Sequence, residues 1–117
     1  MINYKRGDIV LVEFAFSEGI GLKRRPALII SNDRYHKNRE EVIVCAITSN
    51  IQRELFADTK IAQWQEAGLL YPSLVTGIIR TIKAGLISKK LGALMDLDLK
   101  QVEKNLVAAL QLGQQEF

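Results

Sequence analysis

Hydrophobic positions along the chain fall into short runs with little or no helical period, separated by Gly, Asn, Asp and Ser, until about position 96, where the period lengthens to that of a helix. The run 9–14 follows the turn pair Gly7-Asp8 and predicts a first strand rich in β-branched and aromatic residues. Small polar residues and two glycines at 17–21 then mark a loop in a position to cover a ligand. A second strand is predicted over 26–31, ending at Asn32 and Asp33, with a polar loop onward to Glu41. The stretch 42–48 is almost continuously apolar, the pattern of a strand covered on both faces, and stops abruptly at Thr48-Ser49-Asn50. Residues 56–64 are ambiguous and admit a short strand at 59–62, with a turn at Gly68. Another strand is predicted over 73–82, where Gly77 marks a bulge or kink, and short strand pieces follow at 86–87 and 91–94.

After that the period changes. Leu99, Val102, Leu106, Ala109 and Leu110 recur at helical spacing, Lys100, Glu103 and Lys104 fall on the wet face, and Gly113 marks the end. Asp96 or Asp98 can cap this helix, Asp98 and Gln101 having capping-box spacing. Short strands, polar loops and one final helix predict a mainly β, α+β fold: a compact, mostly antiparallel, barrel-like sheet covered by a C-terminal helix. At 117 residues without repeats or a low-complexity linker, one domain over 1–117 is expected.

Composition narrows the function classes. The 48% hydrophobic and 25% charged fractions are those of a globular protein. The balance of 16 Lys+Arg against 13 Asp+Glu permits an anionic partner without demanding one. Cys45 is the one cysteine, so no internal disulfide forms, and its apolar setting predicts a buried inert thiol in a reducing compartment. No apolar run approaches the roughly 20 residues that span a bilayer, and the first residues lack the apolar core of a signal peptide. A cytoplasmic protein without membrane contact is expected.

The chemistry-bearing stretch is Lys23-Arg24-Arg25-Pro26. Proline removes a backbone donor, suits the start of a strand, and pushes Arg25 into extended backbone, where its planar guanidinium is held ready for phosphate oxygens. The plainer reading of the cluster is a solvated basic loop that deters edge pairing. Thr48 and Ser49 end another strand, and antiparallel pairing sets one strand's start beside its partner's end, so Arg25 and Thr48 converge if these two strands pair. Here too a plainer reading stands: side chains of 48–50 bonding their own turn.

An Arg and a Thr hydroxyl together suit a phosphodiester, the cation neutralising charge that develops on the phosphoryl oxygens while the hydroxyl holds one of them. RNA brings its own nucleophile, the 2′-OH, so positioning and electrostatics can cleave it. A guanidinium is a poor general base, which leaves proton transfer unassigned. Lys23, Arg24, Ser49, Asn50 and, on a later strand, Arg80 are the further candidates for RNA contact. With His36 the only histidine, Cys45 the only thiol and no acidic cluster at ligand spacing, no metal or other cofactor is expected. His36 is expected to be structural or idle, and Trp64 to belong to the core or an interface. A serine nucleophile elbow and a glycine-rich phosphate loop are both absent.

Taken together, Lys5-Arg6-Gly7-Asp8-Ile9-Val10-Leu11-Val12, then Lys23 through Ser31, Ala46-Ile47-Thr48-Ser49, Ala67-Gly68-Leu69-Leu70 with Pro72-Ser73, and Lys90-Leu91-Gly92 resemble the MazF/PemK-like toxin family, in order and over nearly the whole chain. The resemblance implies an SH3-like barrel and a homodimer. It also implies a sequence-specific, metal-independent endoribonuclease that cuts single-stranded RNA, leaving a 2′,3′-cyclic phosphate and a 5′-OH. An antitoxin with a disordered acidic tail would neutralise it. The family's Arg before Pro matches Arg25, and its strand-end Thr matches Thr48. The chain departs from the pattern at Lys83-Ala84-Gly85, where many members carry Asp-Lys, and at Thr76, where a basic residue is frequent. A rival class stays open: the same fold serves gyrase-poisoning toxins and barrels that only bind.

Overall fold

A computed structural model describes residues 2–15 and 22–113, and the predicted loop at 17–21 lies outside them. Among the described residues six strands form one antiparallel sheet: β1 (Asp8–Ala15), β2 (Leu22–Ile29), β3 (Glu41–Thr48), β4 (Thr59–Lys60), β5 (Leu74–Lys83) and β6 (Ile87–Ala93). Their order across the sheet is β4-β5-β3-β2-β1-β6. A one-turn helix, α1 (Asp33–His36), joins β2 to β3, and α2 (Asp96–Leu110) follows the last strand. The mainly β, antiparallel architecture with a C-terminal helix is the predicted one. The barrel-like sheet is not closed, however: among the described residues β4 and β6 are its two edges, and no ladder joins them.

Alternation along the central strands sends side chains to two apolar layers, which is why β3 reads as an unbroken hydrophobic run. Ile9, Leu28, Cys45, Ile47, Val75 and Leu94 form one layer with Val102 of α2, and Trp64, Leu99 and Leu106 pack against it. Val10, Val12, Ala27, Ile29, Val42, Val44, Ile82 and Ile87 form the other, flanked by Ile2 and Tyr4. The Cys45 thiol is buried, and loss of solvent pushes its pKa up to about 11, so it is protonated and inert at neutral pH.

Two local details depart from the sequence pattern. β2 begins at Leu22, so Lys23, Arg24 and Arg25 lie within the strand and Pro26 in its middle. The ladder to β1 runs from Leu22 to Leu28, whereas the ladder to β3 involves only Ala27, Leu28 and Ile29. Pro26 thus sits where the β3 side of the strand is open and no donor is required. At the head of α2, Met95 is the cap residue and makes no side-chain bond there. Asp98 instead turns its carboxylate to the backbone N–H groups of Ala62 (3.1 Å) and Gln63 (2.9 Å), tying the helix to the 62–68 turns. The helix ends at Gln111, in left-handed backbone at φ 53°, two residues before Gly113.

The 62–68 turns lie directly on β6. Gly68 has a φ of 92°, and a Cβ there would strike the Leu91 carbonyl, while one on Gly92 would strike the Ala67 carbonyl. Only glycine at both positions permits so close an approach.

Candidate functional site

The register of the central strands assembles the site. Ala27 pairs with Ala46 in the β2–β3 ladder, and carrying that register two residues outward sets Arg25 opposite Thr48. Beyond the last ladder pair lies a pocket of about 500 Å³. Arg24, Arg25, Thr48 and Ser49 all line it. Its apolar wall comes from Leu11, Pro26, Ile47, Leu69 and Leu91, and Leu70 and Tyr71 stand at its rim, 83% and 64% exposed. The volume falls within the roughly 300–1,000 Å³ of small-ligand pockets.

Electrostatically the pocket is one-sided. Arg24, Arg25 and Lys89 line it, and among the described residues no carboxylate does. Glu13 reaches Arg24 only at 3.7 Å, in an ion pair across the β1–β2 ladder. Thr48 accepts a hydrogen bond from the Asn50 N–H at 3.1 Å, the local turn bond that the plainer reading foresaw. That bond uses one lone pair of the hydroxyl, whose O–H can still donate into the pocket. Cations and hydroxyl donors facing a dry wall make a seat for an anion with an apolar portion.

Not every candidate residue joins this group. Lys23 is exposed on β2 and does not line the pocket. Asn50 lines, with Thr48, a neighbouring groove of about 480 Å³ that also includes Phe56 and Ile78. Arg80 pairs in register with Val44 on β5, four residues back along β3 from Thr48 and off the pocket. His36, 6% exposed, faces Ser31, whose Oγ lies 2.6 Å from its Nε2 and accepts from the Ile43 N–H. It fastens α1 to the sheet as a structural residue.

Thr76, where the resemblance expects a basic residue, is buried in a bulge of β5. Its hydroxyl donates to the Ala46 carbonyl at 2.7 Å and accepts from the Ile78 N–H at 3.2 Å. Asp58 secures the same bulge, accepting from the N–H groups of Gly77 and Leu55, each at 2.9 Å. These bonds hold β3 two residues before Thr48. Sequence reasoning missed Lys89, Leu70 and Tyr71. The paired lysines 89 and 90 were visible, but only the pairing Leu11↔Lys89 shows which of them shares a face with Leu11.

A family model described as a PemK-like, MazF-like toxin of type II toxin–antitoxin systems matches residues 5–110. No curated protein sequence matches the chain significantly. Among solved structures, an endoribonuclease from a mycobacterial species aligns with a TM-score of 0.77 at 17% identity, covering 98% of each chain. A mycobacterial endoribonuclease in complex with its cognate antitoxin gives 0.78 at 17% identity, over 96% of this chain and 99% of that one. A MazE–MazF structure from Deinococcus radiodurans gives 0.80 at 19% identity, over 97% of this chain and 100% of that one. At such identities the structural likeness speaks to the fold.

Proposed function

We propose, since the chain belongs to the PemK-like, MazF-like toxins of type II toxin–antitoxin systems, that it is a metal-independent endoribonuclease cutting single-stranded RNA at short sequences, with Arg25 and Thr48 as its catalytic residues. The observation that supports this most is their meeting in one pocket without a carboxylate among its described lining. The RNA 2′-oxygen attacks the adjacent phosphorus as the bond to the 5′-oxygen breaks. A 2′,3′-cyclic phosphate and a 5′-OH result, the 2′ proton leaving to solvent and the 5′-oxygen gaining one. Arg25 neutralises the charge that grows on the non-bridging oxygens, and the Thr48 O–H donates to one of them. Ser49 and Arg24 bind beside them, while Lys23, Asn50 and Arg80 contact RNA outside the pocket.

Partners follow from the same reading. Solved relatives include toxins held by antitoxins; for this chain, a disordered acidic antitoxin tail would compete with RNA for the cations of the pocket. The working form is a homodimer. Among the described residues no helix is long and apolar enough to cross a membrane, in keeping with action on RNA in the cytoplasm.

The test is to incubate the purified protein with mixed-sequence RNA, with and without EDTA, and to sequence the ends. Cuts at a common short sequence that survive chelation are expected. Cleavage abolished by EDTA and restored by Mg²⁺ would overturn the metal-independent mechanism. Intact RNA together with stalled gyrase would favour the protein-binding class of toxin.

A further inference from the structure

We infer that Lys89 is a second phosphate ligand of this pocket, holding the RNA backbone across the apolar floor from Arg24. The inference rests on the RNA reading above and adds to it a residue and a place. In the sheet Leu11 pairs with Pro26 on one side and with Lys89 on the other, so the three stand in one row across β2, β1 and β6. Residues directly opposite one another in antiparallel strands project to the same face. All three line the same pocket, and Arg24, two residues before Pro26 and so on the same face, lines it too. The chain therefore flanks one apolar floor with a guanidinium on β2 and an ammonium two strands away on β6.

Charge pairing separates Lys89 from its neighbours. Lys90 is bound to the buried carboxylate of Asp8 at 3.2 Å, which fixes it as a structural cation. Arg24 has Glu13. Lys89 has no ion pair or hydrogen bond among the described residues, and it shares a pocket with two other cations. Like charges facing one cavity repel in the free protein, and an anion spanning them removes that cost. A polyanion with phosphates on either side of an apolar base meets both walls and the floor together. Lysine serves as a point-charge phosphate ligand and needs no fixed geometry. Its place is therefore in positioning the strand rather than in the chemical step.

The experiment measures binding of a fluorescein-labelled, mixed-sequence 2′-O-methyl RNA, which cannot supply the attacking hydroxyl, at several salt concentrations. Parental protein is compared with Lys89→Ala, Lys89→Arg and Lys90→Met. Lys89→Ala should bind several-fold more weakly at low salt, with the slope of log affinity against log salt flatter by about 0.7, the value for one phosphate contact on a single strand. Lys89→Arg should keep the parental slope. On cleavable RNA, Lys89→Ala should raise KM with kcat nearly unchanged. Parental binding with an unaltered affinity and slope in Lys89→Ala overturns the assignment while leaving the RNA reading in place. No binding by the parental protein removes both. Loss in Lys89→Ala of affinity for poly-glutamate but not for RNA assigns the cation to an acidic protein partner and overturns the proposal. An equal change of slope in Lys90→Met would reduce the effect to net charge and overturn it as well.

Discussion

In the proposed reaction Arg25 and Thr48 carry different burdens, and single substitutions separate them. Arg25 is exposed and belongs to neither apolar layer. Arg25→Ala should therefore lower the cleavage rate roughly 10²–10³-fold, as loss of one oxyanion-type donor does, with an unchanged melting temperature. A variant cutting at the parental rate would remove Arg25 from the chemistry. Thr48→Ala should lose a comparable factor and Thr48→Ser much less, because the serine hydroxyl keeps the donor. Equal losses in both would trace the effect to the methyl group and its packing. Cys45 gives a stability prediction. Its folded-state pKa of about 11 lies above the 9.0 of a free thiol. The unfolded chain therefore releases the proton first, and this contribution, complete below pH 9, is lost as pH rises through about 11. Denaturant titrations of the parent and of Cys45→Ala should show the parent falling more steeply across that interval. Parallel curves would mean the thiol ionises alike in both states.

Among the elements, the β3–β5 pair governs the site. The bulge holds three residues, 76–78, where β5 passes the step from Cys45 to Ile47 of β3. Gly77 announced this irregularity in the sequence. The bonds from Thr76 and Asp58 that lock it join residues far apart in the chain and left no local signature. Thr76→Val keeps the shape but strips the donor from the Ala46 carbonyl. The expected cost is about 1–3 kcal/mol of unfolding free energy, with faster amide exchange at the end of β3. Unfolding midpoints measured in urea check the first, and hydrogen exchange the second. A Thr76→Val protein as stable as the parent would show that the carbonyl finds water instead. Asp98 teaches the same lesson: capping-box spacing was legible, but the carboxylate serves backbone N–H groups 35 and 36 residues away.

At the scale of the whole molecule, the described surface leaves apolar side chains uncovered around the groove beside Thr48. Leu55, Phe56 and Ile78 line this groove or its rim, and Phe56 is 81% exposed. Leu110 and Leu112, at the end of α2, are also more than half exposed. A second copy of the chain is the partner the homodimer reading supplies for such surface. Light scattering at micromolar concentration should report the mass of two chains. The mass of one chain would contradict the dimer and leave the groove to another occupant.

Some of this protein was written in residue order alone. Short and unbroken apolar runs placed the long strands, the change of period at 96–110 placed α2, and Arg25 and Thr48 were legible as a pair that the β2–β3 register sets opposite each other, although β2 starts at Leu22 rather than at Pro26. Those features are local, because a strand's face and a helix's stripe repeat over a few neighbouring residues. The open edge between β4 and β6 was not legible, nor the burial of His36, nor the remoteness of Arg80 from the pocket, nor the choice of Lys89 over Lys90. The last shows why most plainly. The β1–β6 ladder shifts register between Ile9 and Val10 and again between Leu11 and Val12. Each shift of one residue turns a side chain to the opposite face. Alternation counted along β6 thus could not say which lysine faces the pocket and which meets Asp8, a choice made only when β1 is laid against it.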